Sequence, residues 1–171
     1  MKLHIGTTDR HPGWTSFDVV AGPGVDIVGD CKKLTQFADN SIETIYASHV
    51  VEHIRRVETV PMLKDWHRVL VPGGTVMVSV PDLNILAQIF VKDALHGKDK
   101  LAVMHMMFGG QVDDYDYHYG GYDLELMTWM LRDAGFQNIV RVPSFRLFND
   151  TSEADFYGIK FSLNVKAWKT A

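Results

Sequence analysis

The sequence of 171 residues holds a single cysteine, Cys31. A disulfide within the chain and a cysteine-based zinc site are therefore excluded, and a reducing, cytoplasmic setting fits. No window approaches the ~18 consecutive apolar residues of a membrane span. The opening Met1-Lys2-Leu3-His4-Ile5-Gly6 has no long apolar signal region and reads as a short strand. Basic residues are few: 17 Lys and Arg against 21 Asp and Glu give a formal charge of −4, with no basic run. The positive stripe of a nucleic-acid binder is missing, although a small anionic ligand is still allowed. With 46% hydrophobic residues, the chain suffices for one compact domain over 1–171.

Apolar runs and helical stretches alternate along it. Leu3–Gly6, Ser16–Val20, Val25–Val28, Ile42–Ala47 and the β-branched Thr75–Val80 are candidate strands. Met62, Leu63, Trp66, Val69 and Leu70 share one helical face, with Pro61 in the expected first turn and Pro72-Gly73-Gly74 as the stop. Leu83, Leu86, Phe90 and Ala94 mark a second helix; Asp123 is the expected N-cap of a third that ends at Gly135. Phe161, Leu163, Val165 and Ala167 alternate with polar residues, as in an antiparallel edge or near-edge strand. Strands alternating with helices predict an α/β fold with a mostly parallel sheet. The first half is too short for full helical crossovers, so its helical cover should be reduced. That predicts exposed apolar surface there and a homodimer contact. Residues 19–28 read equally as a crossover or as a hairpin through Ala21-Gly22-Pro23-Gly24.

Ligands on such sheets bind at the carboxyl ends of the strands. Asp18, Asp30 and Asp82 fall at or near those ends. One such aspartate is commonly a turn residue. Asp18 and Asp30, each after an apolar run beyond a glycine-ended first strand, instead suit a ribose-binding carboxylate arrangement.

The stretch from Gly29 to Ile54 carries a more specific pattern. It contains Gly29-Asp30-Cys31, Leu34, the Asp39-Asn40-Ser41 turn, a strand, and Val50-Val51-Glu52-His53. Downstream lie Arg68-Val69-Leu70-Val71-Pro72-Gly73-Gly74 and Ala134-Gly135-Phe136. Together these resemble the class I methyltransferases that use S-adenosylmethionine, in the small-molecule branch often called type 11. The resemblance implies a Rossmann-like sheet with an antiparallel C-terminal strand. It places Gly6 and Thr7 in the loop around the methionine part of the cofactor. It also implies that Asp18 holds the ribose, that Asp30 and Cys31 flank the adenine, and that Leu34 packs on the base. Ser48 and His49 would face the methionine and the transferring methyl. The family's loop usually has three glycines after an acid; here only Gly6 is present.

Phe108–Tyr122 has glycines near both ends, four tyrosines counting Tyr122, His118, and no period, as in a lid over an acceptor. His118 and His49 are the candidate groups for removing an acceptor proton. The expectation is methyl transfer to an O or N atom of a small polar acceptor, with no metal, nucleic acid or membrane partner. Two other readings stand beside it. One is a cofactor-less domain that binds or assembles with a partner. The other rests on His49-Val50-Val51-Glu52-His53, which spells the H-x-x-E-H pattern of inverted zinc proteases, with His49 and His53 as ligands one helical turn apart and a third from Asp113, Asp114 or His118. A nicotinamide enzyme fits less well, since G-x-G-x-x-G is absent too.

Overall fold

A computed structural model describes residues 1–170. Seven strands form one sheet: β1 (Lys2–Ile5), β2 (Thr15–Asp18), β3 (Ile27–Val28), β4 (Ile42–Ser48), β5 (Leu70–Pro81), β6 (Gln137–Arg141) and, last in the chain, Ser162–Trp168. Between the last two lies a small hairpin of β7 (Asp155–Phe156) and β8 (Ile159–Lys160), so the C-terminal strand is β9. The sheet order is β3-β2-β1-β4-β5-β9-β6. Only β9 runs antiparallel to its neighbours β5 and β6. This is the mostly parallel sheet with a near-edge antiparallel strand that the periodicities predict.

Helices α1 (Arg56–Val69), α2 (Leu83–Phe90), α3 (Lys98–Phe108) and α4 (Leu124–Asp133) all lie beyond residue 55. The connections 6–14, 19–26 and 29–41 contain no helix, so the reduced cover of the first half is present. Residues 19–26 are a crossover and not a hairpin, because Phe17 pairs with Ile27 and Asp18 with Val28 in parallel register. Asp123 caps α4 by accepting from Leu126 N, as expected, and Gly135 follows the helix at φ +102°. Pro61 is not in the first turn, since α1 starts five residues earlier. Its missing N–H frees the carbonyl of Val57, which is 82% exposed and can turn to water.

One face of the sheet is apolar. Leu3, Ile5, Phe17, Ile45, Ala47, Val76, Val78 and Val165 pack there with Met62, Leu63 and Trp66 of α1 and Met127 and Leu131 of α4. The opposite face carries the buried polar residues His4, Ser16, Ser79, Ser162 and Asn164. Loops cover it instead of helices. Residues 142–153 bring Phe145, Phe148, Asp150 and Ser152 over His4 and Tyr46. Asn164 donates to the Ser152 carbonyl, and Ser162 to that of Thr151. The apolar surface expected in the first half includes Val19, Val20 and Val28, each about half exposed.

Candidate active site

The strand order reverses between β1 and β4, and a cavity of about 350 Å³ opens at their carboxyl ends. Small-ligand sites occupy roughly 300–1,000 Å³ and favour such switch points. Ile5, Gly6, Phe17, Asp18, Val20, Gly29, Asp30, Cys31, His49, Val50, His53 and Ile54 line it, with Asp114 and Tyr115 reaching in from the loop after α3.

Each wall residue has a local reason for its place. Gly6 turns the chain out of β1 at φ +75°, and a Cβ there would collide with Val50 Cγ2. Gly24, from the next connection, packs against the Thr8 carbonyl where any Cβ would collide with it. The close approach that the loop's own sequence does not supply is made by the segment facing it. Ser16 and Asp26 bind each other's backbone N–H across β2 and the 19–26 connection, which fixes that segment. Asp18 Oδ1 accepts from Val20 N at 2.8 Å, and Asp30 Oδ1 from Lys32 N at 2.9 Å. Both are Asx-type turns that hold a carboxylate at the cavity edge. Cys31 is pushed up to about 12 by burial first and by Asp30 second, so its thiol is a neutral, unreactive wall. Its carbonyl accepts from Trp66 Nε1 at 2.8 Å.

Of the residues singled out from the sequence, Gly6, Asp18, Asp30, Cys31 and His49 come together on this cavity. Thr7 and Ser48 line a neighbouring polar depression of about 240 Å³ that shares Gly6 and also includes His11, Asp150 and Thr151. Leu34 lies fully buried in the core, its N–H held by Asp65 Oδ2 at 2.6 Å, and does not reach the cavity. His118 stands off the cavity wall, stacked edge-on against His53 at 4.7 Å between ring centroids. Burial is the main cause that depresses its pKa below the ordinary histidine value.

The reading of the sequence missed what surrounds Glu52. This residue is 0% exposed, and neither carboxylate oxygen accepts a hydrogen bond among the described residues. His49 Nδ1 lies 3.2 Å from Oε1, and the ligand atoms of Glu52, His53 and His118 lie within 4.8 Å of one another. The signal was present as His-x-x-Glu-His, but its helical geometry does not form. His49 ends the strand at φ +54°, and 51–53 is a single tight turn. The segment 108–122 is tied to that turn: Tyr119 and Gly120 N–H donate to the Glu52 carbonyl, and His53 Nδ1 lies 3.2 Å from the Tyr117 carbonyl.

Residues 11–78 match the family model described as "Methyltransferase domain". Over that stretch the chain is similar to methyltransferase domains. Solved structures agree at the level of fold. The CurJ carbon methyltransferase superposes at a TM-score of 0.61 with 14% identity, covering 99% of this chain and 48% of that one. A SAM-dependent methyltransferase from Thermotoga maritima gives 0.61, 16%, 99% and 81%. The 1,6-didemethyltoxoflavin-N1-methyltransferase of Burkholderia thailandensis, with bound S-adenosylhomocysteine, gives 0.60, 16%, 99% and 71%. The chain thus spans about half the length of the first of these. No curated protein matches the chain. Among the described residues, no helix is long and apolar enough to cross a membrane.

Proposed function

We propose that this methyltransferase domain transfers a methyl group from S-adenosylmethionine to an oxygen or nitrogen of a small polar acceptor. The observation that carries the reading is the convergence of Gly6, Asp18 and Asp30 on one cavity at the strand switch point of a methyltransferase-type sheet. The donor chemistry fits the cofactor. Two carboxylates suit ribose hydroxyls and the adenine amine, and the apolar walls of Phe17, Cys31 and Ile54 suit the base. When bound, the cofactor supplies an intrinsically reactive methyl sulfonium.

The chain's task is then alignment and exclusion of water. Asp18 would orient the ribose, and Asp30 the adenine edge. Asp114 and Tyr115 close one side from the lid and offer a carboxylate and a ring to a hydroxylated acceptor. Of the two histidines expected to act on the acceptor, we assign His49 to that side, since it lines the cavity and His118 does not. Support for the expected homodimer comes from the exposed Val19 and Val20 and from Val28 of the edge strand β3.

Calorimetric titration with S-adenosylmethionine and S-adenosylhomocysteine tests the reading. Micromolar binding is expected, weakened at least tenfold by Asp18→Ala, which is about 1.4 kcal/mol. No binding of either compound up to millimolar concentration overturns it and leaves a partner-binding module on the same fold.

A further inference from the structure

We infer that Glu52, His53 and His118 form a binding site for a divalent cation of the zinc class, beside the cavity. Glu52 is the first reason. A fully buried carboxylate without a hydrogen-bond donor is unfavourable by several kcal/mol unless a positive charge meets it. No Lys or Arg pairs with it among the described residues.

The histidine tautomers are the second reason. The Tyr117 carbonyl accepts only, so His53 Nδ1 at 3.2 Å must be its N–H, which leaves the Nε2 lone pair free. Ser162 gives its hydroxyl hydrogen to the Thr151 carbonyl, so its oxygen accepts from His49 Nε2–H at 3.0 Å. The His49 Nδ1 lone pair then points to the Glu52 side, 3.2 Å from Oε1 and off the hydrogen-bonding line. His118 Nδ1 is buried and has no partner. In these tautomers neither His53 nor His49 has a hydrogen left to give to the Glu52 carboxylate.

A cation resolves the arrangement. Two imidazoles and one carboxylate are the ligand set of catalytic zinc sites, which keep a fourth position open. Bonds of about 2.1 Å put tetrahedral donors roughly 3.4 Å apart. The ligand atoms now lie within 4.8 Å of one another, so binding requires them to draw closer by up to about 1.4 Å. The carbonyl of Tyr117 is the outer partner that such histidine ligands ordinarily have. On the methyl-transfer reading, the open position would take and acidify an acceptor hydroxyl; the ion site itself does not depend on that reading.

The test is titration of zinc into the chelator-stripped full chain, by calorimetry and by thermal unfolding, for the wild type, Glu52→Gln, His118→Ala and His11→Ala. One zinc per chain at micromolar or better affinity is expected, with a raised unfolding temperature. Glu52→Gln and His118→Ala should weaken binding at least a hundredfold, and His11→Ala should leave it unchanged. Glu52→Gln keeps the shape of the side chain and decides the matter if His118→Ala does not fold. Absence of binding at 100-fold excess zinc, or binding that Glu52→Gln does not weaken, overturns the site. Titration of S-adenosylmethionine into the same samples separates the two proposals, since either ligand can bind without the other.

Discussion

Gly6 shows how one residue serves two demands. Its backbone is left-handed, and the space where a Cβ would stand is taken by Val50. Gly6→Ala should therefore cost about 1–2 kcal/mol for the backbone conformation alone, plus the collision. Adding Val50→Ala should recover the collision and leave the backbone part, as urea unfolding midpoints of the wild type and the two variants would show. The position of Gly6, Asp18 and Asp30 on one cavity was legible because strand ends are legible: apolar runs stop where the chain leaves the sheet. Leu34 was not legible in the same way. Its place in the core is set by Asp65 and Trp66, thirty residues away on α1, and no local pattern records that. Glu52 was hidden for a similar reason, since its histidine neighbour His118 comes from a loop with no period.

At the scale of elements, α1 does more than cover the sheet. The segment 29–41 has no helix, yet its backbone groups are bound. Arg68 donates to the carbonyls of Leu34 and Phe37, both at 3.1 Å, and pairs with Asp39 and Asp65 at 2.7 Å. Asn40 and Ser41 N–H donate in turn to the last carbonyls of α1. The helix end thus acts as the template for a loop that its own sequence leaves irregular. Arg68→Met should lower stability by about 2 kcal/mol, because several backbone carbonyls lose a charged donor. Amide exchange should quicken most at residues 34–41, and equal quickening across the sheet would show that the clamp is not local. The strands and helices themselves followed from period and caps. The crossover at 19–26 did not, because eight residues without a helix satisfy a hairpin pattern equally well, and only pairing of Phe17 with Ile27 decides.

The molecule as a whole is roofed unevenly, with helices on the apolar face and an aromatic loop on the polar one. His4 lies under that roof, 5% exposed, stacked on Phe148 at 4.5 Å and edge-on to Tyr46 at 4.9 Å. Burial, followed by the nearby His11, lowers its pKa from 6.5 to about 4. Between those values the unfolded chain holds a proton that the native one refuses, so stability falls as pH drops through that window. The loss approaches about 3 kcal/mol near pH 4. His4→Phe should flatten this slope relative to the wild type in denaturant titrations across pH 4–7; an unchanged slope would place the acid sensitivity elsewhere. The same roof has a consequence for synthesis. Of the strands it covers, β1, β2 and β4 leave the ribosome well before it, and Phe145 and Phe148 follow some 130 residues after Asp18. At about 5–20 residues per second, His4, Trp14 and Tyr46 wait roughly ten seconds for their cover. A nascent chain stalled before residue 145 should hold these aromatic groups open to solvent and to chaperones, although every strand from β1 to β6 has already been made.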